Sequence, residues 1–238
     1  MIKAITFDLY GTLAGFSPSR YEIQSKAAAK FGLHLTEDDV QRGYFKADEF
    51  MSKQNATIPI RSMTSQEKLN FFAEYEKLIL SEADPDINLD KSLDVWLETQ
   101  KMSYKLTVFD DVRPVLKTLK DQGFVLAVIT NMNTTGYKIL AELDLIGQID
   151  FAITSLEAKA EKPDKRIFEM AFKKAKCEPE ENIHVGDQIL SDIIGAKLVG
   201  TNYILIDRYS LNETFEDGPR ITTLIQLPEL LKKCNSVI

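Results

Sequence analysis

From Phe109 to Ile206 short apolar runs alternate with helix-patterned segments, and this alternation restricts the fold more than any other feature of the sequence. The runs are Phe124-Val125-Leu126-Ala127-Val128-Ile129, Phe151 to Thr154, Ile183-His184-Val185 and Tyr203-Ile204-Leu205-Ile206. Between them lie a stripe of Val112, Val115, Leu116 and Leu119 that stops at Gly123, and helical stretches over 134–143, 165–174 and 191–198. Asp110 or Asp111 is the expected cap of the first. Repeated strand and helix units predict an α/β fold, a parallel sheet inside a three-layer core. At the amino end, Ile2-Lys3-Ala4-Ile5-Thr6-Phe7 reads as a further strand of that sheet, buried on both faces.

The first strand is separated from the rest by about ninety residues with helical patterning only, as judged from apolar periodicity. Thr36-Glu37-Asp38-Asp39 has the form of a capping box, followed by Val40, Tyr44, Ala47 and Met51 on one face. A helix starting near Thr64 or Ser65 carries Leu69, Phe72, Tyr75 and Ile79, and another opens near Asp90 with Leu93, Trp96 and Leu97. The expected organisation is a core of residues 1–15 and 106–238 with an all-helical insert of residues 16–105. Plain connectors near Ala14-Gly15-Phe16-Ser17-Pro18 and over 104–108 would join the two.

A chain of 238 residues with 44% hydrophobic and 27% charged content can bury a real core. Its formal charge of -7 disfavours nucleic acid or an anionic membrane as partner but leaves room for a local pocket that takes a small anion. No apolar stretch approaches the ~20 residues needed to span a bilayer. Lys3 and Asp8 interrupt the amino-terminal run too early for a signal peptide. Cys177 and Cys234 have no metal-type or redox-type spacing, so free thiols and a cytoplasmic location are expected.

Strand ends in open α/β folds gather ligands, and polar residues stand at several of them. Asp8 ends the first strand. Thr130-Asn131 ends the second and offers a hydroxyl and an amide to an anionic oxygen. In Lys162-Pro163-Asp164, Asp164 suits a helix cap, whereas Lys162 can offset repulsion between a carboxylate and an anionic substrate. Asp187 and Asp192 flank a strand-to-helix turn and can hold a hard cation such as Mg²⁺, although a helix dipole also accounts for Asp192. His184, in mid-strand, reads as a core residue, and Phe71, Phe72, Tyr75 and Trp96 read as helix packing.

Taken together, Phe7-Asp8-Leu9-Tyr10-Gly11-Thr12-Leu13, Ile129-Thr130-Asn131, Glu161-Lys162-Pro163-Asp164 and Val185-Gly186-Asp187 through Asp192-Ile193-Ile194-Gly195-Ala196 resemble the haloacid dehalogenase-like (HAD) hydrolase superfamily. The resemblance implies a Rossmann-like core with a mobile helical cap and makes Asp8 the nucleophile of a covalent aspartyl intermediate. It implies that Thr130 binds a substrate oxygen and that Lys162 orients Asp8. It also gives Mg²⁺ as cofactor, held by Asp8, the Tyr10 backbone carbonyl, Asp187 and Asp192. Thr12, Asn131 and Arg42 are the candidates for holding a small, phosphorylated substrate.

One position departs from the phosphatase pattern. Tyr10 stands where family phosphatases carry a general acid and base Asp, and a phenol of reference pKa near ~10 is a poor base at neutral pH. The family's dehalogenases carry Tyr there. They also dispense with magnesium, lack the complete acidic pair, and place a catalytic Tyr where this chain has Phe168. The balance favours a Mg²⁺-dependent phosphatase acting through an aspartyl phosphate, ahead of a metal-independent 2-haloacid dehalogenase and of a non-catalytic binding module.

Overall fold

A parallel sheet forms where the apolar runs place it. The structure, a computed structural model, describes residues 1–235, with side chains through Lys232, so the Cys234 thiol lies outside the described residues. In chain order, β1 (Ala4–Phe7) and β2 (Ala14–Ser17) precede four helices, α1 (Arg20–Ala29), α2 (Glu37–Thr57), α3 (Ser65–Leu80) and α4 (Leu89–Thr99), which β3 (Lys105–Val108) follows. Next come α5 (Val112–Asp121), β4 (Val125–Thr130), α6 (Gly136–Glu142), β5 (Phe151–Thr154), α7 (Ser155–Ala158), α8 (Lys165–Ala175) and β6 (Asn182–Gly186). The chain closes with α9 (Gly195–Leu198), β7 (Asn202–Ile206), β8 (Arg220–Ile221) and α10 (Leu227–Asn235).

The main sheet has the order β5-β4-β1-β6-β7-β8, with every pairing parallel. β1 is central, and Phe7 lies beside Val128 on one side and Val185 on the other. Ile5 and Phe7 are fully buried, each worth roughly 1.5–3 kcal/mol against exposure. The edge strand β8 has two residues, too few to carry a period in the sequence.

Packing separates the chain into two units, Met1–Gly15 with the chain from Thr107 onward, and Phe16–Leu106. The expected plain connectors are strands: β2 and β3 pair as a two-stranded ribbon in which both crossings fall. Asp111 precedes α5 but makes no side-chain cap, contrary to expectation, because its carboxylate is bound elsewhere. Among the described residues, no helix is long and apolar enough to cross a membrane.

Within the helical unit, Ser19, Thr36 and Thr64 each close a capping box, with Glu22, Asp39 and Glu67 as the reciprocal partners. α3 packs against α2 and α4. Ala47, Phe71, Tyr75 and Ile79 form one apolar cluster and Val40, Leu80, Ile87 and Val95 belong to another. Phe50 stacks on Phe71 at 4.9 Å and Phe72 on Trp96 at 4.7 Å, which is the packing role read from the sequence.

A carboxyl group lies inside this apolar packing. Glu76 is 1% exposed and accepts a hydrogen bond from the Gln24 amide, while the Tyr44 hydroxyl donates to Gln24 Oε1 at 3.0 Å. Burial pushes the Glu76 carboxyl up to about 8, against the opposing pull of Gln24. A neutral acid is therefore favoured in the folded state, whereas the unfolded chain ionises it near 4.5. Stability from this group is complete below pH 4.5 and is lost as pH rises through about 8. Glu76→Gln is expected to stabilise the protein by roughly 2–4 kcal/mol at pH 8, with the gain vanishing near the acid end of that window, as read by urea denaturation across pH.

Candidate active site

The site begins with the backbone of Asp8. Its N–H donates to the Val185 carbonyl at 2.8 Å, extending the ladder between β1 and β6, so the Asp8 side chain emerges at the carboxyl edge of the sheet with only 8% exposure. Beside it lies the Lys162 ammonium, 3% exposed, which donates to Asp8 Oδ1 and, at 2.6 Å, to Asp192 Oδ1. A buried ammonium thus joins two buried carboxylates.

Lys162 is fixed through its main chain. Its N–H donates to Asn131 Oδ1 at 2.7 Å, and the Asn131 amide donates back to the Lys162 carbonyl at 3.2 Å. Asn131 follows β4, and its own carbonyl accepts from the Ser155 hydroxyl at 3.0 Å. The amide expected to meet substrate is therefore committed to the segment that carries the ammonium. Thr130, the last residue of β4 and 3% exposed, ends at the same sheet edge as Asp8.

Asp192 does not open a regular helix over 191–198. Residues Ile189–Ile194 form a wide π-type turn, and only then does α9 begin. That turn carries the Asp192 side chain back over β6: a Cβ on Gly186 would lie 2.3 Å from the Asp192 Cγ. Asp192 Oδ2 accepts from the Gln188 N–H at 3.0 Å, and Oδ1 also meets His184 Nε2 at 3.1 Å. Asp192 lies in the first turn and takes the N–H of the residue that opens it, as a helix-start carboxylate does, and it also turns inward onto Lys162 and His184.

His184 is fully buried, as a core residue should be, yet it touches Asp192, a contact that the sequence pattern does not announce. Its other ring nitrogen lies 3.0 Å from the Thr6 hydroxyl. With Asp192 ionised, Nε2 carries the proton toward it. Phe168 packs edge-on against the His184 ring at 5.1 Å. The available signal is a polar residue in mid-strand on two neighbouring runs, Thr6 and His184, which must share a partner if both are buried.

Asp187 follows β6 at half-buried depth, and the Thr12 hydroxyl donates to its Oδ1 at 3.4 Å. Gly11 is required here: its φ is +83°, and a Cβ would lie 2.3 Å from Asp187 Oδ2. One carboxylate oxygen each from Asp8, Asp187 and Asp192 lies within 4.8 Å of the others. Three hard oxygen donors at that spread suit a small divalent cation. The Arg42 guanidinium is held by three carboxylates of the helical unit, with Asp38 as one partner, Asp39 at 2.8 Å and Glu82 at 2.9 Å.

The ionisation pattern follows from burial and charge. Burial, helped by the nearby Asp192 charge, pushes Asp8 up to about 6 although Lys162 pulls against it. Burial also opposes ionisation of Asp192, but the Lys162 ammonium and the His184 hydrogen bond overcome it and hold that carboxyl well below its usual range. For Lys162, burial favours the neutral amine, and the two carboxylates more than reverse this. Desolvation keeps His184 below its ordinary value.

One edge of the parallel sheet thus gathers a fixed ammonium and three acidic side chains, Asp8, Asp187 and Asp192, the arrangement of a candidate hydrolytic site. The sequence profile of the haloacid dehalogenase-like hydrolase family matches residues 2–200, and the chain belongs to that family. It is 26% identical to the glyceraldehyde 3-phosphate phosphatase of Methanothermobacter thermautotrophicus, over 97% of this chain and 100% of that protein. Among solved structures it is similar to the 2-haloacid dehalogenase of Pseudomonas syringae, with TM-score 0.58 and 26% identity over 98% of this chain and 99% of that one. A HAD phosphatase from Thermococcus onnurineus shares the fold at TM-score 0.55 and 23% identity over 97% and 98% of the two chains.

Lys162→Met removes the ammonium that Asp8 and Asp192 share and leaves two facing buried carboxyl groups without a counter-charge. It is expected to cost about 3–5 kcal/mol at pH 7, with Lys162→Met/Asp192→Asn recovering part of the loss; non-additivity in urea denaturation measures the coupling.

Proposed function

We propose that this hydrolase is a Mg²⁺-dependent phosphatase of a small phosphorylated metabolite, acting through an aspartyl phosphate on Asp8. The observation that carries the reading is the lysine-linked carboxylate pair with Asp187 at metal-binding distance. Relatives named as phosphatases support it. Asp8, Asp187, Asp192 and the Tyr10 carbonyl would hold Mg²⁺, which when bound neutralises charge on the substrate phosphate and on the carboxylates.

Asp8 attacks phosphorus in line and the P–O ester bond breaks, the leaving oxygen taking a proton from water to depart as the alcohol; a second water then attacks phosphorus, which returns the Asp8 carboxylate and releases inorganic phosphate. Lys162 keeps Asp8 ionised and oriented and offsets the approach of an anion. Thr130, Thr12 and Asn131 belong to the edge that meets the phosphate, with Asn131 acting through the Lys162 main chain. Tyr10 supplies no carboxylate base for the attacking water, so the second step is slow.

A phosphate-ester panel with added Mg²⁺ tests this. Release of phosphate, lost on chelation and in Asp8→Asn, is the expected result; no release from any ester sinks the reading. Tyr10→Asp is expected to raise kcat at least about tenfold, by restoring a base of suitable pKa. Tyr10 and the likeness to a 2-haloacid dehalogenase favour a second reading, metal-independent dehalogenation, which halide release from 2-chloropropionate in chelator would establish.

A further inference from the structure

The turn that follows the nucleophile is held from behind by a side chain that lies outside every motif above. Arg208 comes two residues after β7. Its Nε and Nη2 donate to the Thr12 carbonyl at 3.2 and 2.7 Å. The other edge of the same guanidinium binds the Asp111 carboxylate through Nη1 at 2.9 Å and Nη2 at 3.0 Å. Both side chains are largely buried, 12% exposed for Arg208 and 11% for Asp111. The flat face of Arg208 lies 4.2 Å from the centroid of the Phe109 ring.

Asp111 is itself immobilised. Its Oδ2 accepts from the Thr223 hydroxyl at 2.7 Å and the Leu224 N–H at 2.9 Å, just before α10. The segment carrying Arg208 is fixed by its neighbour Asp207, whose carboxylate accepts from the Leu211 and Asn212 N–H groups at 2.9 Å and from Arg220 at 2.8 Å. A rigid, bidentate fork anchored on three sides thus grips one carbonyl. That carbonyl belongs to the residue whose hydroxyl donates to Asp187, two positions after Tyr10.

We propose that Arg208, oriented by Asp111, is a positioning residue that sets the turn of residues 9–14 so that Tyr10 and Thr12 stay in register with Asp8 and Asp187. A lysine cannot reproduce the function: it keeps the charge but donates from a single point, so it cannot span the Thr12 carbonyl and both Asp111 oxygens as one planar unit. The proposal rests on the phosphatase reading for its kinetic consequence, but its structural consequence does not depend on turnover.

Hydrogen exchange of the full-length protein supplies that independent reading. In Arg208→Lys the amides of residues 9–15 are expected to exchange at least about tenfold faster, while those of β4 and β5 are unchanged. Asp111→Asn, which leaves the Thr12 contact in place, is expected to loosen the turn less while lowering Tm as much. On the best ester found, Arg208→Lys should lower kcat about tenfold or more with KM within about twofold, since a displaced turn disturbs the reacting geometry more than binding.

If Arg208→Lys lowers Tm but leaves exchange over 9–15 no faster than elsewhere in the sheet, Arg208 is a structural strut and the proposal is overturned. If the Arg208→Lys variant fails to fold, the same comparison is made with Phe109→Leu, which removes the ring beneath the guanidinium; unchanged exchange there overturns it equally. A wild-type protein that releases no phosphate refutes the phosphatase reading alone, because the exchange result still decides the clamp.

Discussion

A single ammonium, removed from water and shared by two carboxylates, is the interaction on which the candidate site depends. Burying one carboxylate at a sheet edge is costly, and burying two side by side is worse. Lys162 makes the arrangement possible by facing both Asp8 and Asp192, and the balance it strikes is unequal. Asp192, with His184 and the Gln188 N–H as further donors, is the fixed anion. Asp8, drawn to the same ammonium but raised by burial and by the Asp192 charge, remains the more responsive of the two.

The groups around this trio work mainly by restricting movement. Asn131 brackets the Lys162 peptide from both sides, and Ser155 holds the Asn131 carbonyl. Gly11 and Gly186 let the Asp187 and Asp192 carboxylates lie directly on the main chain, where any side chain would collide. The precision comes from strand ends and short turns, while the apolar interior beneath them supplies the stiffness.

The strands and the carboxylates at their ends are legible because each depends on a short local pattern: an apolar run, then a polar residue. The separate helical unit is equally plain from its period. What cannot be read is anything set by partners distant in the chain. Asn131 and Lys162 are thirty-one positions apart, and nothing in either neighbourhood announces that the amide serves the lysine backbone. The wide turn of Ile189–Ile194 escapes the sequence pattern because its residues fit a helix just as well; the demand that Asp192 reach back over Gly186 decides the matter. Asp111 looks like a cap because its preference for that position is real, but Arg208, Thr223 and the Leu224 N–H outcompete the local bond. The β2 and β3 ribbon and the two-residue β8 are too short to leave a period.

The position of β1 has a consequence for how the molecule comes into being. Among the strands of this sheet it is the earliest in chain order and yet the middle one in space, and both of its neighbours lie beyond the helical unit in the chain. Until β4 has been synthesised this apolar segment has no sheet partner at all, and until β6 follows, its second edge stays open. The nascent chain must therefore shelter an exposed, aggregation-prone strand while the whole helical unit is made, and the cluster around Asp8 can close only after β6 and the turn that carries Asp192 have followed.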